Sequence, residues 1–266
     1  MAKVYRIGDK PLTISVLAEI IEKNRPLALS VNAKKKIKDC RKYLNNKIEK
    51  QEQPIYGINT GFGALCNHKI SNKELAQLQK NLVLSHACGT GEEVPQEIVR
   101  ILLLLKLQSL SYGHSGVQLK TVERLIDMFN KGILPIIYQQ GSLGASGDLS
   151  PLAHLSLPLI GEGEVDIPGI CDNGYYKRRK SSKILKEMNW KPIQLQSKEG
   201  LALLNGTQFM SAYGVWSLIK AKRISYLADM ISSISLEAFD GRSEFSEALL
   251  HQVRPFKGQL KTAANI

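Results

Sequence analysis

Gly141-Ser142-Leu143-Gly144-Ala145-Ser146-Gly147-Asp148-Leu149-Ser150-Pro151-Leu152-Ala153-His154 is the stretch on which the reading of this chain turns. Its first eight residues hold three glycines, two serines and an aspartate, and the remainder is mostly apolar. Glycine has no Cβ, so such a loop lets backbone approach backbone closely enough for chemistry within the main chain. The familiar glycine loops do not fit. Glycines at 141, 144 and 147 miss the G-x-G-x-x-G spacing of a dinucleotide loop, and the stretch has no lysine for a P-loop. A nucleophile elbow on Ser146 would need glycine where Asp148 stands. The plain alternative is a loop entering a helix, with Asp148 or Ser150 as N-cap and Pro151 in the first turn. The stretch alone is as compatible with that as with anything more specific.

Working outward, 266 residues suffice for one large domain or two small ones, and 43% apolar residues describe a globular chain. The net charge of +12 raises the question of nucleic acid. Its distribution argues against it. Residues 1–50 carry 13 basic and 5 acidic groups, residues 172–200 carry 8 and 3, and the rest carry 15 and 16. The excess is therefore two local patches. Lys34, Lys35, Lys36 and Lys38 read as the wet face of a helix, and Lys177 to Lys180 as an exposed hairpin or loop. Cys40, Cys66, Cys88 and Cys171 are scattered without C-x-x-C spacing, so neither a zinc site nor a disulfide framework is indicated. There is no signal-peptide pattern, and the longest apolar run, Ile101 to Leu105, is too short to span a bilayer. A reducing, cytoplasmic setting is expected, with no membrane and no nucleic-acid partner.

Periodicity predicts mainly helices. One covers residues 12–24, capped by Thr13 or Ser15 and ended by Pro26. A second follows Ser30, with Ile37, Cys40, Leu44 and Ile48 on one face. Residues 54–63, Pro-Ile-Tyr-Gly-Ile-Asn-Thr-Gly-Phe-Gly, read as irregular backbone with a short strand at its start. Ser71-Asn72-Lys73-Glu74 forms a capping box for a helix running to Ser85-His86. Pro95 opens a helix to about Leu110 that is apolar nearly all round and therefore buried. A helix from about 117 to 131 ends at Gly132. An apolar helix runs from Pro151 to about Ile160, and Asp172-Asn173-Gly174 signals a hairpin. Lys198-Glu199-Gly200 opens a single long helix through about Ala238. Asn205 and Gly206 inside it cost helix stability, which invites a functional reason.

The central stretch, with Ala145-Ser146-Gly147 at its heart, resembles the signature of the aromatic amino acid ammonia-lyases and aminomutases. Tyr56-Gly-Ile-Asn-Thr-Gly-Phe-Gly63, Leu203-Leu-Asn-Gly-Thr-Gln208, Ala238-Phe-Asp240 and Arg254-Pro-Phe-Lys-Gly-Gln259 are similar to further motifs of that family, in the same order. The resemblance covers essentially the whole chain. It implies a mainly α fold of the L-aspartase/fumarase kind: an elongated helical bundle with short strands and loops in an amino-terminal active-site region. Residues 1–199 would form that region, and residues 200–266 the start of the central bundle.

What the resemblance implies for chemistry is specific. Ala145, Ser146 and Gly147 cyclise without help into methylidene-imidazolone, with no metal or nucleotide. The Gly147 nitrogen attacks the Ala145 carbonyl carbon, which a side chain at 147 would hinder, and Ser146 loses water to leave the methylidene. Tyr56 is the general base for the substrate's β-proton. Tyrosine titrates near pH 10 in solution, so the site must lower it. Asn205 lies against the imidazolone and the amino-acid end of the substrate, and Gly63 and Leu65 line the substrate site. His86 stands at the selectivity position. Ser85-His86 is similar to the pair in histidine lyases, where an imidazole exchanges hydrogen bonds with a polar ring. The expected reaction is elimination of ammonia from L-histidine to give trans-urocanate. A tyrosine or phenylalanine lyase or a 2,3-aminomutase is the alternative within the family, and a non-catalytic helical subunit the alternative outside it. Family members are about twice as long, are homotetramers, and carry a Gln-Asp-x-Tyr-Ser-x-Arg-like motif for which this sequence has no counterpart. The expectation is an amino-terminal half.

Overall fold

The computed structural model describes residues 3–50, 53–63, 68–71, 74–143, 147–171 and 174–266. They group into two compact units, Met1–Tyr213 and Gly214–Ile266.

In the first unit, β1 (Tyr5–Ile7) and β2 (Leu27–Leu29) pair in parallel around α1 (Ile14–Glu22). The Thr13 hydroxyl accepts from the Val16 N–H, which settles the choice of cap. The chain turns back at Asn24 (φ 48°), before Pro26. Ser30 caps α2 (Val31–Lys50) by accepting from Ala33 N–H, and Ala33, Ile37 and Leu44 face inward. The lysine face of α2 is largely exposed as expected, with Lys34 on Glu123 and Lys35 on Asp39.

The next elements are α3 (Leu75–His86), β3 (Thr90–Glu93), α4 (Gln96–Ser111) and α5 (Leu119–Lys131). Eleven of the sixteen residues of α4 are buried, so this helix is the axis around which the unit packs. Each fully buried leucine contributes about 1.5–3 kcal/mol over an exposed one. Gly132 closes α5 in the left-handed conformation (φ 65°). Then come β4 (Leu134–Pro135), β5 (Tyr138–Gln140), α6 (Leu149–Ser156), the hairpin β6 (Glu164–Cys171) and β7 (Gly174–Lys180), α7 (Ser181–Glu187) and α8 (Glu199–Leu204). β5 pairs antiparallel with β3, and the order β4-β6-β7 makes a small antiparallel sheet. The basic run on β7 is more than a wet surface: Arg178 forks onto Glu93 at 2.6 Å through two N–H groups and also meets Asp166.

Four expectations need correction. Residues 54–55 form no strand. Ile58 and Asn59 N–H groups both donate to the Ile55 carbonyl, and Asn59 Oδ1 takes the Ile55 N–H, so the backbone groups a ladder would need are spent in turns. The capping box at 71–74 does not form as such. The Ser71 hydroxyl donates to the Glu74 carboxylate (2.6 Å), and Glu74 is the residue before the helix. The helix after Pro151 gives way to a 3-10 turn at Leu157–Ile160, where Pro158 has no N–H to continue the α pattern. Finally, the single helix expected over 198–238 is two. α8 stops at Leu204, Asn205 to Thr207 interrupt it, and α9 (Gln208–Ala238) begins afterwards. Gly206 has φ 136°, which no helix accommodates.

The second unit holds the rest of α9 with α10 (Ala248–Gln252) and α11 (Lys257–Asn265). Asn265 donates to the Asp229 carboxylate at 2.7 Å, tying α11 to α9, and the His251 ring contacts Gln259 at 2.9 Å. Among the described residues no helix is long and apolar enough to cross a membrane.

Candidate active site

The interruption after α8 and the glycine loop after β5 meet backbone to backbone. Gly147 and Gly206 form a parallel bridge, and the Asp148 N–H donates to the Gly206 carbonyl at 2.9 Å. Gly147 has φ 100°, and a Cβ there would sit 2.3 Å from the Gly206 oxygen. Only glycine can occupy position 147. Glycine is also the residue that ring closure from residues 145–147 demands at its closing position, so position 147 fits the implied group. Ala145 and Ser146 themselves lie outside the described residues, as does Leu65.

Asp148 has a second task. It precedes α6, but neither its side chain nor that of Ser150 caps that helix. The Asp148 carboxylate accepts from the Met210 N–H instead, at 3.1 Å, and so caps α9. An open cleft of about 490 Å³ lies here, lined by Ser142, Gly147, Asp148, Thr207, Phe209 and Tyr213 among others. The Ser142 hydroxyl donates to the Gly147 carbonyl at 3.2 Å. Phe209 and Tyr213 meet edge to face at 5.2 Å, and burial raises the Tyr213 pKa.

His86 ends α3, and the pairing of β3 with β5 brings the segment after it to the mouth of the glycine loop. There Gly89 and Gly141 touch: a Cβ on Gly141 would lie 2.9 Å from Gly89 Cα. His86 Nδ1 lies 2.9 Å from the Leu82 carbonyl. The Ser85 hydroxyl also lies 3.1 Å from Nδ1. Because a carbonyl only accepts, the Leu82 contact puts a proton on Nδ1, and in the neutral ring Nε2 is then the acceptor. Sequence reasoning gave no role to His154. Its Nε2 accepts from the Gly89 N–H at 3.0 Å, which clips the His86 segment to α6, and its ring lies edge-on to Tyr138 at 5.3 Å. Burial lowers the His154 pKa, in keeping with a ring that must stay neutral to accept. The signal was present, since His154 lies four residues after Ser150 on one helix face, but its partner is 65 residues away.

Tyr56 is 59% exposed and meets the Phe62 ring edge to face at 5.9 Å. Asn59 and Thr60 beneath it are buried, and they hold the turn: Thr60 Oγ1 accepts from the Gly57 N–H, and the Asn59 amide donates to the Gln53 carbonyl. Gly57 packs against Leu201, so this turn rests on α8, the helix that leads to Asn205. Gly63 is exposed, with open space on its Cβ side. Asn205 is exposed at the end of α8 and is not a buried bridge between helices. The structure thus joins Gly147, Asn205 and the His86 segment through direct contacts among α3, α6 and α8, and seats the Tyr56 turn on α8.

The sequence of residues 12–266 matches the family described as aromatic amino acid lyase. The chain is 41% identical over its whole length to histidine ammonia-lyase 2 of Fusobacterium nucleatum, and 42% identical to histidine ammonia-lyase of Caldanaerobacter subterraneus. It spans about half the length of these relatives, 50% and 51%. The crystal structure of histidine ammonia-lyase from Trypanosoma cruzi superposes with a TM-score of 0.87 at 36% identity, over 99% of this chain and 49% of that one. With its motifs in order and its fold shared, the chain belongs to the aromatic amino acid lyase family.

Proposed function

We propose that this chain carries the catalytic loops of a carbon–nitrogen lyase that eliminates ammonia from L-histidine to give trans-urocanate. The observation that carries the reading is position 147, where the Gly206 carbonyl leaves no room for a side chain at the closing residue of Ala145-Ser146-Gly147. A methylidene-imidazolone made from residues 145–147 supplies an electrophile, which is needed because the substrate's β-proton is not acidic on its own. Tyr56, exposed on its buttressed turn, takes that proton as general base. Asn205, at the free end of α8, holds the amino-acid end of the substrate. His86 offers Nε2 as an acceptor to the N–H of a substrate imidazole, Gly63 leaves space for the ring, and Leu65 is assigned to the substrate site by the family resemblance alone. A phenol could use the same acceptor, but a phenyl group would leave it unpaired. That acceptor and the two histidine ammonia-lyase relatives favour histidine over tyrosine or phenylalanine. In the full-length protein the site is completed in a homotetramer.

Intact mass is the test. The chain, alone or co-expressed with the complementary half of the Fusobacterium relative, is expected to be two waters lighter than its sequence, with the deficit in the peptide holding residues 145–147. The matured protein converts histidine to urocanate, and Ser146→Ala abolishes both the deficit and the activity. Full sequence mass in both preparations would overturn the reading. Turnover of tyrosine but not histidine would move it to the alternative substrate.

A further inference from the structure

Lys106 is 1% exposed in the middle of α4, eleven of whose sixteen residues are buried. A lysine on such a helix normally carries its amine out to water. This one does not. Its Nζ donates to the carbonyl of Asn205 at 3.1 Å. Asn205 is where α8 breaks: its N–H still donates back to Leu201, while its own φ and ψ (−86°, 136°) are extended. Its carbonyl is one of the acceptors a helix end leaves without an intrahelical donor. The peptide unit is planar, so fixing the Asn205 oxygen also fixes the direction of the Gly206 nitrogen. Gly206 is the residue against which Gly147 lies and to which the Asp148 N–H donates.

We propose that Lys106 is a positioning residue for the glycine loop: from inside α4 it pins the Asn205 carbonyl and thereby fixes Gly206 as the surface that holds Gly147 and Asp148. A methionine would fill much the same space without the cost of burying an amine, so what the lysine adds is direction. Burial lowers the amine's pKa to about 7. Both the ammonium and the neutral amine donate N–H, so the clamp holds on either side of that pH. A consequence for ring closure rests on the function proposed above; the clamp itself does not.

Amide hydrogen exchange on the folded chain tests it. Lys106→Met is expected to speed exchange at the Asp148 and Met210 N–H groups by about tenfold, the worth of one hydrogen bond, with α5 amides such as Leu125 unchanged. Lys106→Arg, which restores an N–H donor, recovers the protection. Unchanged exchange at Asp148 and Met210 in Lys106→Met would overturn the proposal, as would equal loss in both variants. If neither variant folds, the unaltered protein decides by NMR: a correlation across the hydrogen bond from Lys106 Nζ to the Asn205 carbonyl carbon is expected, and its absence sinks the idea. Where the unaltered chain shows the two-water deficit, Lys106→Met acquires it more slowly. A missing deficit in the unaltered chain counts against the proposed function, while exchange still decides the clamp.

Discussion

The two units differ in how their helices are sustained. α4 in the first unit is sixteen residues long and closed in by its neighbours. α9 is thirty-one residues long, and between Gly214 and Ile266 only His251 is buried. Leu218, Ile224, Leu227, Met230, Ile231 and Ile234 stand exposed along α9. Helices in water gain most of their stability from burying an apolar face. The first unit therefore contains what it needs, whereas the second displays surface suited to being covered.

The sharpest test of this contrast is pH. The Lys106 amine titrates near 7 when folded, against 10.5 in the unfolded chain. Between those values the unfolded chain binds the extra proton, so stability rises as pH is raised through that window. Below pH 7 the full cost of burial remains. At about 1.4 kcal/mol per pH unit the expected rise between pH 7 and 10 is on the order of 4 kcal/mol. Urea melts from pH 7 to 10 should show the rise, and Lys106→Met should flatten it. Leu103→Ala, at a site with no exposure, should lose about 2–5 kcal/mol in the same melts. Gly147→Ala should cost about 1–3 kcal/mol through its positive φ and the clash with Gly206, and should prevent the two-water deficit. Ile231→Ser on α9 should shift stability by no more than about 0.5 kcal/mol, yet reduce self-association in size-exclusion chromatography. A large loss of stability there would break the comparison.

What could be read in advance follows the same divide between local and distant causes. The burial of α4, the Gly132 stop, the Thr13 and Ser30 caps and the β6–β7 hairpin all depend on residues within a turn or two of one another. The glycine loop and the Tyr56 turn were recognisable as motifs. The role of Asp148 was misread because its helix-capping partner is Met210, not its own helix. The break at Asn205–Thr207 was missed for a similar reason: composition warned against Asn205 and Gly206 in a helix, but the acceptors and donors that hold the break lie on α4 and the glycine loop. Lys106 gave no sign at all, because an amine in an apolar helix looks the same in sequence whether it reaches water or a carbonyl 99 positions away.

The Asp148–Met210 bond also sets an order of events during synthesis. Sixty-two residues separate the two groups, and the chain emerges from its amino end. The glycine loop leaves the ribosome well before the N–H that will hold its aspartate. It cannot take its final shape until the start of α9 has been made, so any self-modification that needs this shape waits for the later segment to arrive.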